Sequence, residues 1–222
     1  MKNRTRHILE RLDQVREDLL ALSDDIWQSI DHNDTQALEE GVAFKREYNA
    51  RMAAFDQLAG EISTLVQQFT AVRLDESDQA DQRSPQAAER IIRDLDQRQA
   101  HGLNEDFTFK RPYGFQLGDE ARSGVTTWRR LFELICLYLQ GLDPRHFASL
   151  PGHPKFISRR GNPVFSEDPR ALRSAMPLPN GLYAEANLSA NHLCTQIGNL
   201  LDAFAIDRAA LRLYLRQDRD AD

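Results

Sequence analysis

Two apolar stripes at heptad spacing, divided by a three-residue polar break, constrain the first third of this 222-residue chain. Ile8, Leu12, Val15, Leu19, Leu22 and Ile26 step by four and three, and Tyr48, Met52, Phe55, Ala59, Ile62, Val66 and Phe69 do the same. A repeat averaging about 3.5 residues keeps one narrow seam turned towards a partner helix, which is coiled-coil packing rather than a helix laid on a globular core. The break, His32-Asn33-Asp34, is long enough for an antiparallel return and little else. The chain is therefore expected to open as a helical hairpin, one arm over residues 4–31 and the other over 35–74.

The arms are unequal, about 40 Å against about 60 Å at the α-helical rise. The far half of the longer arm overhangs while its seam stays apolar at Ile62, Val66 and Phe69. These three are the predicted interface residues, to be covered by the next helix, by a second copy or by another protein. Gly41 and Lys45 fall on the seam near the tip. A glycine inside a helix costs about 1 kcal/mol relative to alanine, so the tip is the weaker end.

Charge divides the chain in two. Residues 1–106 carry 13 Lys+Arg against 22 Asp+Glu, a balance of −9, and residues 107–222 carry 15 against 12, a balance of +3. An acidic arm joined to a mildly basic module suggests different partners for the two halves. Mean hydropathy is −0.57, and no run approaches the ~18 consecutive apolar residues of a membrane span, so the expected location is the cytoplasm with no membrane partner. The basic start, MKNRTRHILERLDQ, has helix-spaced apolar residues and reads as a helix rather than a secretory signal. Cys136 and Cys194 lie among leucines and isoleucines and read as small buried hydrophobes.

The organisation expected is a coiled-coil hairpin over 1–75, a linker and connecting helix over 76–106, and an α+β module over 107–222. DESDQADQR, 75–83, has no apolar period and reads as the linker; Ser84-Pro85 opens the connecting helix, which runs through about Ala100. FTFKRPYGFQL reads as two short strands or a bent edge strand, and GDEARSG as a turn. Thr126 or Thr127 caps a helix from Trp128 to Gln140, stopped by Gly141, and Asp143-Pro144 opens a short helix. A proline-rich loop over 151–179 includes a short strand at 155–158 and a turn of helix after Ser166. Leu182–Ala186 reads as a strand, Ser189 caps a helix through Phe204, and LRLYLR reads as a last strand. The fold class is α+β, with two main helices against a short mixed or antiparallel sheet.

No histidine or cysteine spacing suggests a metal site, and no glycine-rich phosphate loop or nucleophile elbow is present, so neither cofactor nor catalytic residue is predicted. Anion contact is a different matter. Lys155, Arg159 and Arg160 surround Phe156 and Ile157, and Lys110 and Arg111 stand beside Tyr113; cations interleaved with aromatic groups suit a nucleic-acid backbone. The plain alternative is that the aromatics pack inward and the cations solvate an acidic protein. YAEANLSANH, 183–192, feeds a strand into a helix start, where Asn187, Ser189 and Asn191 could add hydrogen bonds to an anion or simply cap the helix.

Residues 107–216, from KRPYGF through TTWRRLFELICLYL and VFSEDPRALR to GLYAEANLSANHLCTQIGNLLDAFAID, resemble a C-terminal module of uncharacterised bacterial and archaeal proteins. Such modules often stand beside mobile-element or restriction-type genes. Thr127-Trp128 and the run Tyr183-x-Glu185-x-Asn187-Leu188-Ser189-Ala190-Asn191 carry the likeness most specifically. It implies a setting in genome defence or mobile-DNA biology and brings no catalytic residues with it. The reading of the whole chain is a non-enzymatic adaptor. Its hairpin would form a homo-oligomer or dock a partner coiled coil, and its module would meet a nucleic acid or protein. The rivals are a sequence-specific DNA-binding regulator and an enzyme with its site at the Asn187–His192 turn; against the first, the Trp128 helix carries only Arg129 and Arg130.

Overall fold

The computed structural model describes residues 2–70, 85–158 and 161–217. Helix α1 (Lys2–Gln28) and helix α2 (Thr35–Thr70) form the antiparallel hairpin. Asp34 turns the corner, its carboxylate accepting from the N–H groups of Gln36 and Ala37 as an N-cap does. Gly41 is buried where the arms come closest, and a methyl group there would collide with Ile30. Lys45, the other misfit at the tip, spans the arms to Ser23 (2.7 Å) and Asp24 (2.8 Å), so two seam irregularities serve as close approach and polar clasp. The predicted linker, 75–83, lies outside the described residues.

The buried face of the hairpin differs from the predicted seam. Ile8, Val15 and Leu22 are exposed, while Leu9, Arg16, Glu17, Leu20, Ala21 and Ser23 are buried. On α2 the seam holds at Met52 and Ala59 and then opens, leaving Ile62 and Phe69 exposed and Val66 half-buried. Apolar periodicity could not find this face, because its centre is two charged side chains that are buried by being paired.

Helix α3 (Pro85–Leu95) leads into a four-stranded antiparallel sheet of order β1-β7-β2-β3. Its strands are β1 (Ala100–His101), β2 (Pro112–Leu117), β3 (Glu120–Ser123) and β7 (Leu211–Leu215). FTFKRPYGFQL thus supplies an inner strand rather than an edge. Pro112 is tolerated because it is the strand's first residue, beside a register shift before Gly114. GDEARSG is not all turn: Glu120–Ser123 folds back as β3. Gly114 is required there, because a Cβ would run into the backbone of Arg122 and Ser123.

One face of this sheet, with Phe115, Leu117, Leu211 and Leu213, meets α4 (Trp128–Leu142) and α6 (Ala190–Ala203) in the main apolar core. The other face is covered by α3, where Leu95, Ile91 and Ile92 pack on Ala121, Tyr113 and Tyr214. The connecting helix therefore belongs to the module. Thr127 caps α4, its side chain accepting from the Arg130 N–H at 3.2 Å. Gly141 does not stop the helix, which runs on to Leu142 and ends at Asp143. Asp143 then caps α5 (Pro144–Ala148). A second antiparallel sheet, β4 (Phe165–Ser166), β6 (Tyr183–Glu185) and β5 (Ala175–Pro177) in the order β4-β6-β5, closes the module. Its Phe165 meets Phe132, Phe147 and Phe156 in an aromatic cluster. Residues 154–156 form a 3-10 turn rather than a strand, and 169–171 form the turn of helix expected after Ser166. Cys136 and Cys194 are buried in α4 and α6, and burial pushes the Cys194 thiol up to about 12.

Candidate functional site

Acidic arm and basic module meet each other. Helix α1 reaches the start of α4 and the turn from β6 into α6 through polar side chains. Arg111 reaches Glu17 (3.4 Å), Asp18 and the Gln14 carbonyl (3.1 Å). The Glu17 carboxylate also accepts from the backbone N–H of Arg129 at 3.0 Å, in the first turn of α4, where a helix offers unpaired donors to an anion. In the opposite direction, Arg16 donates to the Ala186 carbonyl and pairs with Asp56 of α2. One arginine therefore ties both arms of the hairpin to the module. Asp24 lies 3.6 Å from His192, extending the contact to the first turn of α6.

Burial sharpens this network. Glu17 is 5% exposed, and desolvation pushes its carboxyl up to about 7, against the lowering pull of the Arg129 N–H and of Arg111. Asp13 is raised by burial too, although Arg129 and Arg16 oppose the shift. The Arg129 guanidinium is lowered, first by burial and then by Arg16. No hairpin side chain belongs to either apolar core of the module among the described residues. The hairpin lies outside those cores, and the ion pairs and hydrogen bonds of Arg16, Glu17 and Arg111 tie it to the module.

The predicted site residues fall into three groups. Arg111 is spent in the joint. Lys110 gives its carbonyl to the Trp128 indole N–H (2.8 Å) and sets its ammonium 5.8 Å from the Phe107 ring, while Lys155 pairs with Asp202 at 3.2 Å. Asp202, held to about 2 by Arg208 and Lys155, takes up both cations. Phe156 packs inward, and Arg159 and Arg160 lie outside the described residues. Of the described cations, Arg111 lies at the joint with α1, and Lys155 lies at Asp202.

The turn residues divide as well. Asn191 pins the chain before β2: its carbonyl oxygen accepts from the Phe107 N–H (2.8 Å), and its amide donates to Asp106 (2.8 Å) and Thr108 (3.1 Å). Those bonds help hold the Asp106 carboxyl near 2, with the Thr108 hydroxyl the larger cause. Ser189 occupies the N-cap position of α6 without a side-chain cap bond and pairs instead with His192 Nδ1 at 2.9 Å. Asn187 is 4% exposed, and its side-chain oxygen has no hydrogen-bond partner among the described residues. Asn187 and Ser189 line a cavity of about 190 Å³ against Lys45, Asn49 and Arg173. Glu185, which belongs to the run that carries the resemblance but not to the predicted site residues, organises this turn by accepting from the N–H groups of Arg173, Ser174 and Asn187 at 2.8–3.2 Å.

Between the far half of α2 and the 173–177 segment lies a groove of about 1170 Å³, lined by Arg16, Asp56, Gly60, Thr64, Arg129 and Arg173 among others. Among the described residues no three His, Cys, Asp or Glu side chains are grouped to hold a metal, and no helix is long and apolar enough to cross a membrane. Arg16, Glu17 and Asp56 are the joint residues that apolar periodicity missed; the available signal was charge at positions flanking an apolar stripe, which a solvated face gives equally. No family model, curated protein or solved structure matches the chain.

Proposed function

We propose that this chain is a non-enzymatic adaptor that assembles with a second copy of itself through the outer face of α2. The observation that carries the reading is a run of exposed apolar side chains, Leu58 (56% exposed), Ile62 (43%), Leu65 (56%) and Phe69 (85%), spaced four, three and four residues apart. That is a coiled-coil seam left over after the hairpin has closed. A contiguous apolar strip of this kind marks an association surface. Glu61 is the one charged residue between 57 and 70, so two such strips meet without a like-charge barrier, which favours a homotypic partner. Exposed Ile8, Val15 and Leu22, one heptad apart on α1, widen the apolar surface of the same hairpin. The resemblance of residues 107–216 supports a setting in genome defence or mobile-DNA biology for such an assembly.

Sedimentation of the full chain tests the reading. A mass of two or more chains is expected, falling to that of one chain in the Leu65→Ser/Phe69→Ser variant with an unchanged circular dichroism spectrum. A wild-type chain that sediments as a monomer at micromolar concentration rules it out.

A further inference from the structure

We infer that the hairpin is a releasable cover over a phosphate-binding face of the module, and that Glu17 occupies the place of the anion. The face consists of Arg111, Arg129 and the backbone N–H groups at the start of α4, continued by Arg173 at its rim. All three cations are arginines, whose planar forks suit phosphate oxygens, and a helix N-terminus adds fixed donors. The carboxylates found there are stand-ins: Glu17 accepts from both Arg111 and the Arg129 N–H, Asp18 takes the other end of the Arg111 fork, and Asp13 lies in the field of Arg129.

Two further observations make the cover removable. No hairpin side chain is a member of the module's apolar cores among the described residues. The joint is also of the polar, ion-paired kind from which intramolecular domain contacts are reversibly built. A chain of phosphates brings many charges to the face at once and competes with three carboxylates by mass action. The ligand is a phosphate chain; nucleic acid and inorganic polyphosphate are its two sources. No exposed aromatic ring belongs to the face, Trp128 being wholly buried, so base stacking contributes nothing and binding is insensitive to sequence.

The test uses the full chain and two probes, a fluorescent oligothymidylate of about 20 nucleotides and inorganic polyphosphate, at about 50 mM and about 200 mM salt. Arg16→Ala/Asp18→Asn removes the Arg16 bond to the Ala186 carbonyl and the Asp18 pair with Arg111, releasing the hairpin without changing a cation of the face. It is expected to bind the oligonucleotide at least about tenfold more tightly than wild type at the lower salt, and to lose most of that gain at the higher. Adding Arg111→Glu and Arg129→Glu is expected to abolish the gain. Equal gains for both probes assign recognition to phosphate alone, and a larger gain for the oligonucleotide assigns the source to nucleic acid. A gain that survives Arg111→Glu/Arg129→Glu overturns the proposal. Hydrogen exchange supplies the second readout, since cover and ligand exclude each other: saturating wild type with the oligonucleotide is expected to speed exchange in α1 and to leave α4 unchanged. If that variant leaves α1 protected, Glu17→Arg, which sets a cation against Arg111, takes its place. A released α1 with no gain in binding also overturns the proposal.

Discussion

The hairpin and the module are stabilised by different physics within one chain. The module buries Phe107, Phe115, Trp128, Phe132, Phe147, Phe156 and Phe165 in a continuous apolar core, and its polar contacts trim that core: the Trp128 indole on the Lys110 carbonyl, Asn191 on the Phe107 amide. The hairpin meets the module chiefly through Arg16, Glu17 and Arg111. Apolar burial is non-directional and insensitive to salt, whereas ion pairs respond to salt, protons and competing charge. The docking of the hairpin is therefore expected to depend more on salt and pH than the stability of the module core does.

The most severe break in this comparison should come from the module. Trp128→Ala removes a fully buried indole and is expected to cost about 3–5 kcal/mol, unfolding the α+β core in a denaturant melt. Arg16→Ala strikes the joint, leaving the Asp56 carboxylate and the Ala186 carbonyl without their partner. Roughly 3 kcal/mol is expected, but as local loss. Amide exchange in α1 should speed up while protection in α4 holds, and equal loss in both would mean that hairpin and module form one cooperative unit.

Protons discriminate next. Glu17 has its carboxyl raised to about 7 by burial, so between about pH 4.5 and 7 the docked state holds a proton that a released hairpin gives up. Docking is then strongest at the acid end of that window and weakens as pH rises through 7, by up to about 3 kcal/mol. Asp13, also raised, acts in the same direction, whereas the low values of Asp106 and Asp202 place their titration near pH 2, outside the window. Arg111 and the first turn of α4 face Glu17, Arg16 lies beside it, and His192 stands 3.6 Å from Asp24 at the far end of the joint. Exchange rates in α1 should rise from pH 5.5 to pH 8 after correction for intrinsic chemistry, and Glu17→Gln should flatten that rise.

The smallest effect belongs to the solvated surface. Arg51→Ala breaks an exposed pair with Glu47 at 2.7 Å and is expected to change the melting free energy by less than about 0.5 kcal/mol. A larger cost would mean that the outer face of α2 is covered in solution, which sharpens the case for assembly through it.

What the sequence alone determined follows from short-range rules. Heptad spacing predicted the hairpin, the pair Thr126-Thr127 and Asp143 marked the starts of α4 and α5, and the apolar face of α4 placed the core. The inner position of β2 and the fold-back of β3 were not legible, because strand order depends on which segments return to pair, and β7 arrives about a hundred residues later. The joint was decided by tertiary structure alone. Arg16 and Glu17 look like any solvated charges in a helix, and their burial became favourable only once Asp56, Arg111, Ala186 and the start of α4 were brought around them. Periodicity measures where a chain is greasy; a charge buried by its partners depends on segments far apart in sequence, and folding is what brings them together.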